Sequence, residues 1–411
     1  YFENLGLDVK YLMSGRTAID YVLEDIKDDK KIVYMPDYCC NSMVQPFIDK
    51  GYNIKYYNVD LMNNKFYIDV QFNCSIFFGM SYFGYSNSNM DYYIKKFKMK
   101  NIAIIMGGYS SEYKISLISG NVVYQTLDKT KYNGYRIHIF KEKWVYVDAN
   151  DAEFPIDRND FSVTVEGTKI TFDCVFNAIH GTPGEDGLLQ AYFELLGIPQ
   201  TACDYYQAAL TFNKRDLLSV LKPYGIKTAT SYYLNKGDLI NTAEIVKKVG
   251  LPCFVKPNKA GSSFGISKVK TEAELPIAIE VAYKEDNEII IESFLDGTEV
   301  SVGVINYQGT ITVLPITEIV SENDFFDYEA KYEGKSQEIT PARISNEMTQ
   351  KVGEIAKRAY EVLKMKGFSR SEFIIVDGEP HMLEMNTIPG LTTESLIPQQ
   401  ARAAGISLED L

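Results

Sequence analysis

The sequence predicts an α/β protein with two or three folding units. Its 411 residues exceed the roughly 150 of an average domain, a short apolar run at 102–106 ends in two glycines, and strand-like and helix-like segments alternate after it. An apolar run that ends in glycines before a helical pattern is typical of a buried strand that opens a βαβ unit. The alternation indicates helices layered on a sheet.

The predicted elements follow one another in a regular order. Strands are expected at 175–179 and 228–234, and helices at 187–196 and 242–249. From residue 251 onward the apolar segments are mostly strands, expected at 253–256, 266–269, 288–292, 300–305 and 311–315. The carboxy-terminal part is therefore expected to be an α+β sheet with flanking helices.

A change in composition near residue 98 separates an amino-terminal segment from the rest of the chain. Residues 1–98 are rich in Tyr, Phe and Asn, and end in a lysine-bearing run at 92–98. Met99 directly precedes the first apolar strand. We therefore expect an independent folding unit to begin at Met99.

Composition excludes several classes of function. No run approaches the roughly 18 unbroken apolar residues of a membrane helix, and a net charge of -13 argues against a nucleic-acid partner and favours small substrates accompanied by cations. Six scattered cysteines without CxxC spacing are typical of a reducing cytoplasm. Three separated histidines argue against a histidine-ligated zinc site, so carboxylates, Lys and Arg are left to carry the chemistry.

A strand that presents Lys256 leads into a loop with glycines at 261 and 265. Glycines let backbone amides approach a ligand, and Ser262 and Ser263 add hydroxyl donors, so the segment is a candidate cradle for polyphosphate. It lacks the spacing of a Walker loop, and an ordinary turn with an exposed lysine remains the alternative. Lys214, at an expected helix start, is a second candidate cation.

Acidic side chains mark two later segments. Glu292 ends an apolar strand and Glu299 follows a few residues on, where they could meet the adenine and ribose of a nucleotide or could simply be edge acids. Two strand-like runs around 377–378 predict a hairpin, and a three-residue connection would place Glu372 opposite Glu384.

The hairpin predicts a magnesium site. Facing carboxylates repel unless a proton or a cation separates them, and with Asn386 on the face of Glu384 only oxygen ligands are on offer. Leu383 and Met385 are expected in the core between the acids, and a solvated acidic edge is the alternative. Arg370 is expected on the face of Glu372, within reach of a phosphoryl group, and the Gly390 amide in the following turn could bind an oxyanion.

Residues 99–411 resemble the D-alanine:D-alanine ligases of the ATP-grasp superfamily. The matching stretches occur in family order: GGYSSE (107–112), HGTPGEDG (180–187), TFNK (211–214), VKPNKAGSSFG (255–265), ESFLDGTEVS (292–301), FFDYEAKY (325–332), RSEF (370–373), LEMNTIPGLT (383–392) and SLIPQQARAAG (395–405). The resemblance implies an ATP-grasp fold preceded by a parallel-sheet domain. It implies domains at 99–212, 213–296 and 297–411.

The resemblance also implies residue roles. ATP would be bound by Lys214, Lys256, Ser262, Ser263, Lys331, Glu292 and Glu299. Two Mg2+ ions, with Mn2+ as a substitute, would be held by Glu372, Glu384 and Asn386. Glu112 would hold the ammonium of the first D-alanine, with His180 also at the substrate and Ser262 and Tyr332 hydrogen-bonded nearby. Arg370 and the Gly390 amide would stabilise the tetrahedral intermediate, and Ser395 and Leu396 would meet the second substrate.

The sequence departs from the family at one metal position, which is usually Asp and here is Glu372. The extra methylene keeps the charge and changes the reach of the carboxylate.

Residues 1–98 resemble the opening of a different family, the fold-type I pyridoxal-phosphate aminotransferases, through Ser14 to Ile19, Pro36 to Tyr38 and Gly51-Tyr52. This α/β segment is too short to supply the Schiff-base lysine, so we expect an incomplete domain without cofactor chemistry.

These features predict a cytoplasmic enzyme that joins two D-alanines at the expense of ATP for peptidoglycan synthesis. The reaction would pass through an acylphosphate that the second substrate's amine attacks. A D-lactate or D-serine ligase and a non-catalytic nucleotide-binding fusion are the alternatives. D-Alanine and ATP are the expected partners, without nucleic acid or membrane, and a homodimer is compatible with the sequence.

Overall fold

A computed structural model describes residue 23 and residues 31–36, 41–60, 65–67, 76–77, 99–261, 264–321 and 336–411. The chain divides into two compact units, Tyr1–Met99 and Lys100–Leu411. No helix in the described ranges is long and apolar enough to cross a membrane.

The amino-terminal unit contains a four-stranded sheet in the order β3-β2-β1-β4. Its elements are β1 (Ile32–Pro36), α1 (Asn41–Asp49), β2 (Asn53–Asp60), β3 (Lys65–Tyr67) and β4 (Ile76–Phe77). Helix α1 connects β1 to β2, which run parallel, and Phe47 of the helix packs with Val33 and Met35 of β1. The predicted α/β character of this segment is confirmed.

The second unit begins with a seven-stranded sheet in the order β10-β9-β8-β7-β6-β5-β11. Its strands are β5 (Lys100–Gly107), β6 (Tyr132–Ile139), β7 (Trp144–Val147), β8 (Glu153–Asp157), β9 (Ser162–Val165), β10 (Thr168–Ile170) and β11 (Cys174–Asn177). Only β11, β5 and β6 are parallel, and β7 to β10 extend them as antiparallel neighbours. The predicted parallel sheet is thus the core of a mixed one.

Both faces of β5 are covered, which explains its unbroken apolar run. Ile104 and Met106 pack with Leu117 of helix α2 (Tyr113–Thr126). Ala103 and Ile105 face the opposite side, against aromatic residues of the meander and of helix α3 (Leu188–Leu196). A strand buried on both faces reads as a continuous hydrophobic run, as the sequence indicated.

A small antiparallel sheet follows, in the order β13-β16-β14-β15. It comprises β13 (Ser231–Asn235), β14 (Cys253–Pro257), β15 (Ser267–Val269) and β16 (Glu288–Ser293), with helices α6 (Thr242–Val249) and α7 (Leu275–Ala282). Alternate residues of β14, Cys253 and Val255, pack beneath these helices. Period two therefore turns Lys256 to the face away from the helices.

The last sheet has the order β12-β22-β21-β17-β19-β20, with β18 paired to β17. Its strands are β12 (Lys227–Thr228), β17 (Thr298–Tyr307), β18 (Thr310–Val313), β19 (Thr317–Ser321), β20 (Ser336–Ile339), β21 (Phe368–Val376) and β22 (Glu379–Asn386). One face packs on helices α4 (Tyr205–Phe212), α5 (Lys214–Leu221) and α8 (Asn346–Val362), and α9 (Leu396–Ala403) lies near β17. Ile290 of the small sheet joins the same core.

The single strand predicted at 228–234 is wrong. Lys227–Thr228 pairs with β22 of the last sheet, whereas Ser231–Asn235 pairs with β16 of the small sheet. Between them the chain crosses from one sheet to the other, and the Thr230 amide donates to the Ser293 hydroxyl at 3.1 Å. Both pieces have strand composition, so the sequence pattern does not show the crossing.

Two glycines, one beside the last sheet and one in the helix α8 that covers it, differ in the space around them. A Cβ at Gly297 would lie 2.1 Å from the Ile375 carbonyl oxygen, whereas one at Gly353, inside α8, would meet only the Val313 side chain at 3.5 Å. We expect Gly297→Ala to lower the free energy of unfolding by roughly 1–3 kcal/mol. Gly353→Ala should raise it by roughly 0.5–1 kcal/mol because alanine is the better helix former. Denaturant titration measures both, and equal effects would contradict the packing described.

Candidate active site

Three parts of the second unit meet at one place. They are the glycine loop after β14, the hairpin β21–β22, and the turns that follow β5 and β11. Lys214 joins the first two, because its Nζ donates to the Ala260 carbonyl at 2.8 Å and lies 3.1 Å from Glu384 Oε2. Most of the residues predicted to be functional lie around this junction.

Lys256 and Glu292 form a buried ion pair on adjacent strands of the small sheet. The Lys256 Nζ lies 2.9 Å from Glu292 Oε2, and Glu292 is only 2% exposed. Burial opposes the charge on Lys256, but the Glu292 carboxylate more than offsets it and raises the pKa of the lysine. The other carboxylate oxygen, Glu292 Oε1, is buried without a hydrogen-bond partner among the described residues. A buried polar atom left in this way is suited to a ligand's donor group.

Lys214 is held at the first turn of α5. The Asn213 side chain caps this helix by accepting from the Asp216 amide at 3.1 Å. Lys214 is only 8% exposed, so its charge depends on Glu384 and on the Ala260 carbonyl for compensation.

Asn258 fixes the start of the glycine loop, and the sequence pattern did not single it out. It is fully buried, its Oδ1 accepts from the Arg215 amide at 2.9 Å, and its Nδ2 donates to Glu288 Oε2 at 2.8 Å. Its carbonyl also accepts from the Lys214 amide at 3.3 Å. The position of this polar residue, directly after the strand and before the glycines, is the one available sequence signal.

The hairpin places Glu372 opposite Glu384, as predicted, but by a different route. The connection has two residues, Asp377 and Gly378, both with positive φ, and not three. A bulge beside Glu372 and Phe373 supplies the additional residue that shifts the register. The expectation that Leu383 is a core residue is wrong, because the bulge leaves it half-buried, whereas Met385 is buried.

Arg370 and Glu372 lie on the same face of β21, as expected. The guanidinium donates to Glu372 Oε1 at 2.7 Å, and Glu372 is buried. Arg370 Nε has no hydrogen-bond partner among the described residues, so one charged donor is left for a ligand. Asn386 is the cross-strand partner of Arg370.

The donors at the hairpin fit a hard cation. Glu372 and Glu384 face each other with the Asn386 amide on the same strand as Glu384, and Asn386 Oδ1 also accepts from the Ile388 amide at 2.9 Å. All three offer oxygen, which Mg2+ prefers. Within the described ranges no cluster of three or more His, Cys, Asp and Glu could hold a metal. A cation bound here would therefore need further oxygens, which phosphates and water supply.

Glu112 lies against the backbone of two glycines. It directly precedes α2, and a Cβ at Gly261 would come within 2.7 Å of Glu112 Oε2. At Gly181 a Cβ would lie 3.4 Å from the same oxygen. The carboxylate thus reaches across to the glycine loop, and a side chain at 261 would require it to move.

His180 is a buried connection between α2 and the loop after β22. Its Nδ1 lies 2.8 Å from the Ile388 carbonyl and its Nε2 lies 3.2 Å from the Ser119 hydroxyl. Burial lowers the pKa of the imidazole, which favours the neutral form. Both ring nitrogens are therefore occupied by the protein itself.

Glu185 is a buried acid in the turn that precedes α3. Its Oε2 accepts from the Gly181 amide at 2.6 Å, and it does not cap α3. Burial raises the pKa of Glu185 to about 8, and the nearby charges of Glu112 and Glu384 add to the rise. In the sequence, the signal that could have indicated a functional role for Glu185 is its place in a glycine-rich turn that follows a buried strand.

Gly390 lies beside the start of α9. A Cβ at Gly390 would meet the Ser395 hydroxyl at 2.7 Å, and that hydroxyl lies 2.8 Å from Thr392 Oγ1. Leu396 is buried next to Ile319.

Glu299 lies on β17 opposite Ile374, and it is close enough to Lys256 to favour the charged form of that lysine. Four further predicted site residues lie outside the described ranges: Ser262, Ser263, Lys331 and Tyr332.

Comparison with known proteins agrees with this architecture. The sequence profile of the D-ala D-ala ligase N-terminus matches residues 101–203, and that of the C-terminus matches residues 220–411. A D-alanine–D-alanine ligase of Flavobacterium johnsoniae is 93% identical over 313 residues, 76% of this chain and 97% of the relative. One of Christiangramia forsetii is 66% identical over 312 residues, 76% of this chain and 96% of the relative.

Solved structures of D-alanine ligases also align with this chain. The VanG D-Ala:D-Ser ligase from Enterococcus faecalis aligns with a TM-score of 0.66 at 32% identity, covering 76% of this chain and 97% of that one. The D-alanine–D-alanine ligase from Bacillus anthracis complexed with ATP aligns with a TM-score of 0.61 at 29% identity, covering 76% and 94%. Fold and site thus define an ATP-grasp protein. Within that class, the chain belongs to the D-alanine–D-alanine ligase family, as the motifs predicted.

The raised pKa of Glu185 makes stability depend on pH. Between the ordinary value of 4.5 and about 8, the folded state binds a proton that the unfolded state has released, so this contribution to stability falls as pH rises through that window. Glu185→Gln keeps an acceptor for the Gly181 amide and does not titrate. Its melting temperature should therefore fall less over this window than that of the parent. Glu280→Gln, at an exposed site, should follow the parent; equal slopes for all three proteins would contradict burial of the Glu185 charge.

Proposed function

We propose that this chain joins two D-alanines into D-alanyl-D-alanine, with ATP as the energy source, for the synthesis of peptidoglycan. The observation that carries the proposal is the convergence of Lys214, Lys256 and Arg370, each paired with a carboxylate, at the junction of the glycine loop and the hairpin. Family membership supports the same reaction. ATP and D-alanine are then the substrates.

Lys214 and Lys256 bind the phosphates of ATP in this proposal. Lys214 is 8% exposed and the Lys256 side chain is 13% exposed, and among the described residues their salt-bridge partners are Glu384 and Glu292, so a phosphate can take over each ammonium. Glu292 Oε1, buried and unpartnered within the described ranges, would accept from the adenine, and Glu299 would meet the ribose. Ser262, Ser263 and Lys331 complete the predicted set.

Glu372, Glu384 and Asn386 would hold Mg2+ or Mn2+. When bound, the cation neutralises charge on the transferring phosphoryl group. Lys214 and Arg370 contact these carboxylates now, and they would be released toward the phosphates as the carboxylates turn to the metal. The glutamate at position 372 keeps the charge that the family's aspartate supplies.

Glu112 would pair with the ammonium of the first D-alanine, with His180 and Ser262 nearby. Transfer of the γ-phosphoryl group to the carboxylate of that substrate gives an acylphosphate. The amine of the second D-alanine, placed by Ser395 and Leu396, then attacks the acyl carbon, and inorganic phosphate leaves. Arg370, through the Nε that has no hydrogen-bond partner among the described residues, and the Gly390 amide would stabilise the oxyanion, and Tyr332 would help to exclude water.

Three further assignments belong to the proposal. Domain boundaries at 99, 213 and 297 follow the succession of the three sheets, with β12 crossing into the last sheet. A cytoplasmic location is supported by the use of ATP and by the free thiols of Cys174, Cys203 and Cys253. Residues 1–98 would be an aminotransferase-like segment without cofactor chemistry. No feature of the described site favours a D-lactate or D-serine ligase.

The reaction should require both substrates and the metal together. We expect the purified chain to release ADP only when ATP, Mg2+ and D-alanine are all present, because phosphoryl transfer needs the carboxylate acceptor in place. Coupled measurement of ADP, with product analysis for the dipeptide, tests this. The same assay on residues 99–411 should give the same rate. Equal ADP release with L-alanine, or without any amino acid, would instead indicate a simple nucleotidase.

Glu372 should act through its charge more than through its length. Glu372→Gln keeps the size and loses the charge, and we expect it to raise the Mg2+ concentration for half-maximal rate roughly tenfold or more. Glu372→Asp keeps the charge and should raise that concentration less. Glu379→Gln, on the same hairpin but paired with Lys351 and Lys227, is the matched control and should behave as the parent. A Glu372→Gln protein with the parent's Mg2+ dependence would remove this residue from the metal site.

A further inference from the structure

Strand β17 has a gap on one of its two edges. Strand β19 pairs with it from Glu299 to Ser301, and β18 pairs with it from Val304 to Tyr307. Ser301 is the last residue paired with β19, opposite Thr317, and two residues further on the Gly303 amide has no strand partner on this edge. Gly303 is buried, and an unpaired backbone amide in such a place costs free energy.

The side chain of Gln400, on helix α9, fills this gap. Its Oε1 accepts from the Gly303 amide at 2.8 Å, and its Nε2 donates to the Ser301 carbonyl at 2.9 Å and to Thr317 Oγ1 at 3.0 Å. Gln400 has no exposed surface. A carboxamide carries one carbonyl and one NH2 group, so it replaces the peptide unit that a neighbouring strand would have contributed.

Close approach of the helix depends on glycine at position 303. A Cβ there would lie 2.5 Å from Ile397 Cδ1 and 2.8 Å from Gln400 Oε1. Ile397 and Ala401 are also buried, so one face of α9 is packed on the strand at this point. The helix is therefore held against the gap by a polar contact and an apolar contact together.

The gap lies directly opposite the residues of the candidate reaction centre. Across the β17–β21 ladder, Ser301 pairs with Glu372 and Gly303 pairs with Arg370. Helix α9 begins immediately after Ser395, whose hydroxyl adjoins Gly390. One side-chain amide thus connects the end of the site that holds Ser395 and Leu396 to the two strand positions that present Arg370 and Glu372.

We propose that Gln400 is a positioning residue for the second D-alanine. This inference rests on the proposed function, in which Ser395 and Leu396 meet that substrate. The amide fixes the distance between the start of α9 and the Arg370–Glu372 face, and so sets where the attacking amine lies relative to the acylphosphate. Gln400 acts through the helix, and it is placed too deep to touch the substrate.

Steady-state kinetics with Gln400→Met test the proposal. Methionine has a similar length and no hydrogen-bonding amide, so α9 can stay packed but loses its fixed position. The rate of dipeptide formation as a function of D-alanine gives separate Michaelis constants for the two binding steps. We expect the constant for the second D-alanine to rise roughly tenfold, since small displacements of reacting groups are costly. The constants for ATP and for the first D-alanine should stay at the parent's values.

Two further variants keep the test decisive. Gln400→Asn keeps both the acceptor and the donor of the amide on a side chain one methylene shorter, so a smaller rise is expected, and this variant carries the test if Gln400→Met does not fold. Gln350→Met, on α8, removes only an exposed hydrogen bond to Glu354 and should match the parent. Melting temperatures are measured for every protein.

The proposal is overturned if a folded Gln400 variant keeps the parent's constant for the second D-alanine. It is equally overturned if all three Michaelis constants rise by the same factor, because that pattern indicates a general loss of structure. A parent that releases no ADP with D-alanine would refute the proposed function itself. An active parent with unaltered Gln400 variants would refute only the positioning role.

Discussion

The architecture of the site depends on charge balance in a buried place. Lys214, Lys256 and Arg370 each lie within 3.1 Å of a carboxylate oxygen, on Glu384, Glu292 and Glu372 respectively. Buried ions of this kind are costly unless paired, and removal of one partner leaves the other charge uncompensated. The Lys214–Glu384 pair joins helix α5 to strand β22, whereas Lys256 and Glu292 both lie in the small sheet and Arg370 and Glu372 both lie on β21. Charge neutrality at Lys214 therefore requires that α5 and the hairpin assemble together.

The same pairing suits a site that must receive a highly charged substrate. In the proposed function, a nucleotide with its metal brings both signs of charge, so phosphates would replace carboxylates around the lysines while the metal would replace the lysines around the carboxylates. The number of charge contacts then changes little on binding, and the desolvation cost has been met during folding. The acidic net charge of the chain is consistent with this arrangement, since the ligand arrives with its own cation.

Sequence patterns predicted the order of the elements, but they failed where long-range geometry decides the structure. Helix 242–249 was predicted with the observed bounds because its apolar period is local. The pairing of Glu372 with Glu384 was right, although the turn is shorter than expected and a bulge restores the register, which period two cannot reveal. Residues 228–234 were joined into one strand because composition does not record a change of sheet. Asn258 and Gln400 were missed since a buried amide has no periodic signature.

Asn258 has a consequence for how the site recognises its ligand. It follows strand β14, which carries Lys256, and it holds the first two amides of α5, the helix that begins with Lys214. The backbone segments that carry the two lysines are therefore tied to each other, so a movement of the loop base moves both of them. In the proposed function, where both lysines bind phosphates, the spacing of these segments would favour a phosphate chain of matching length.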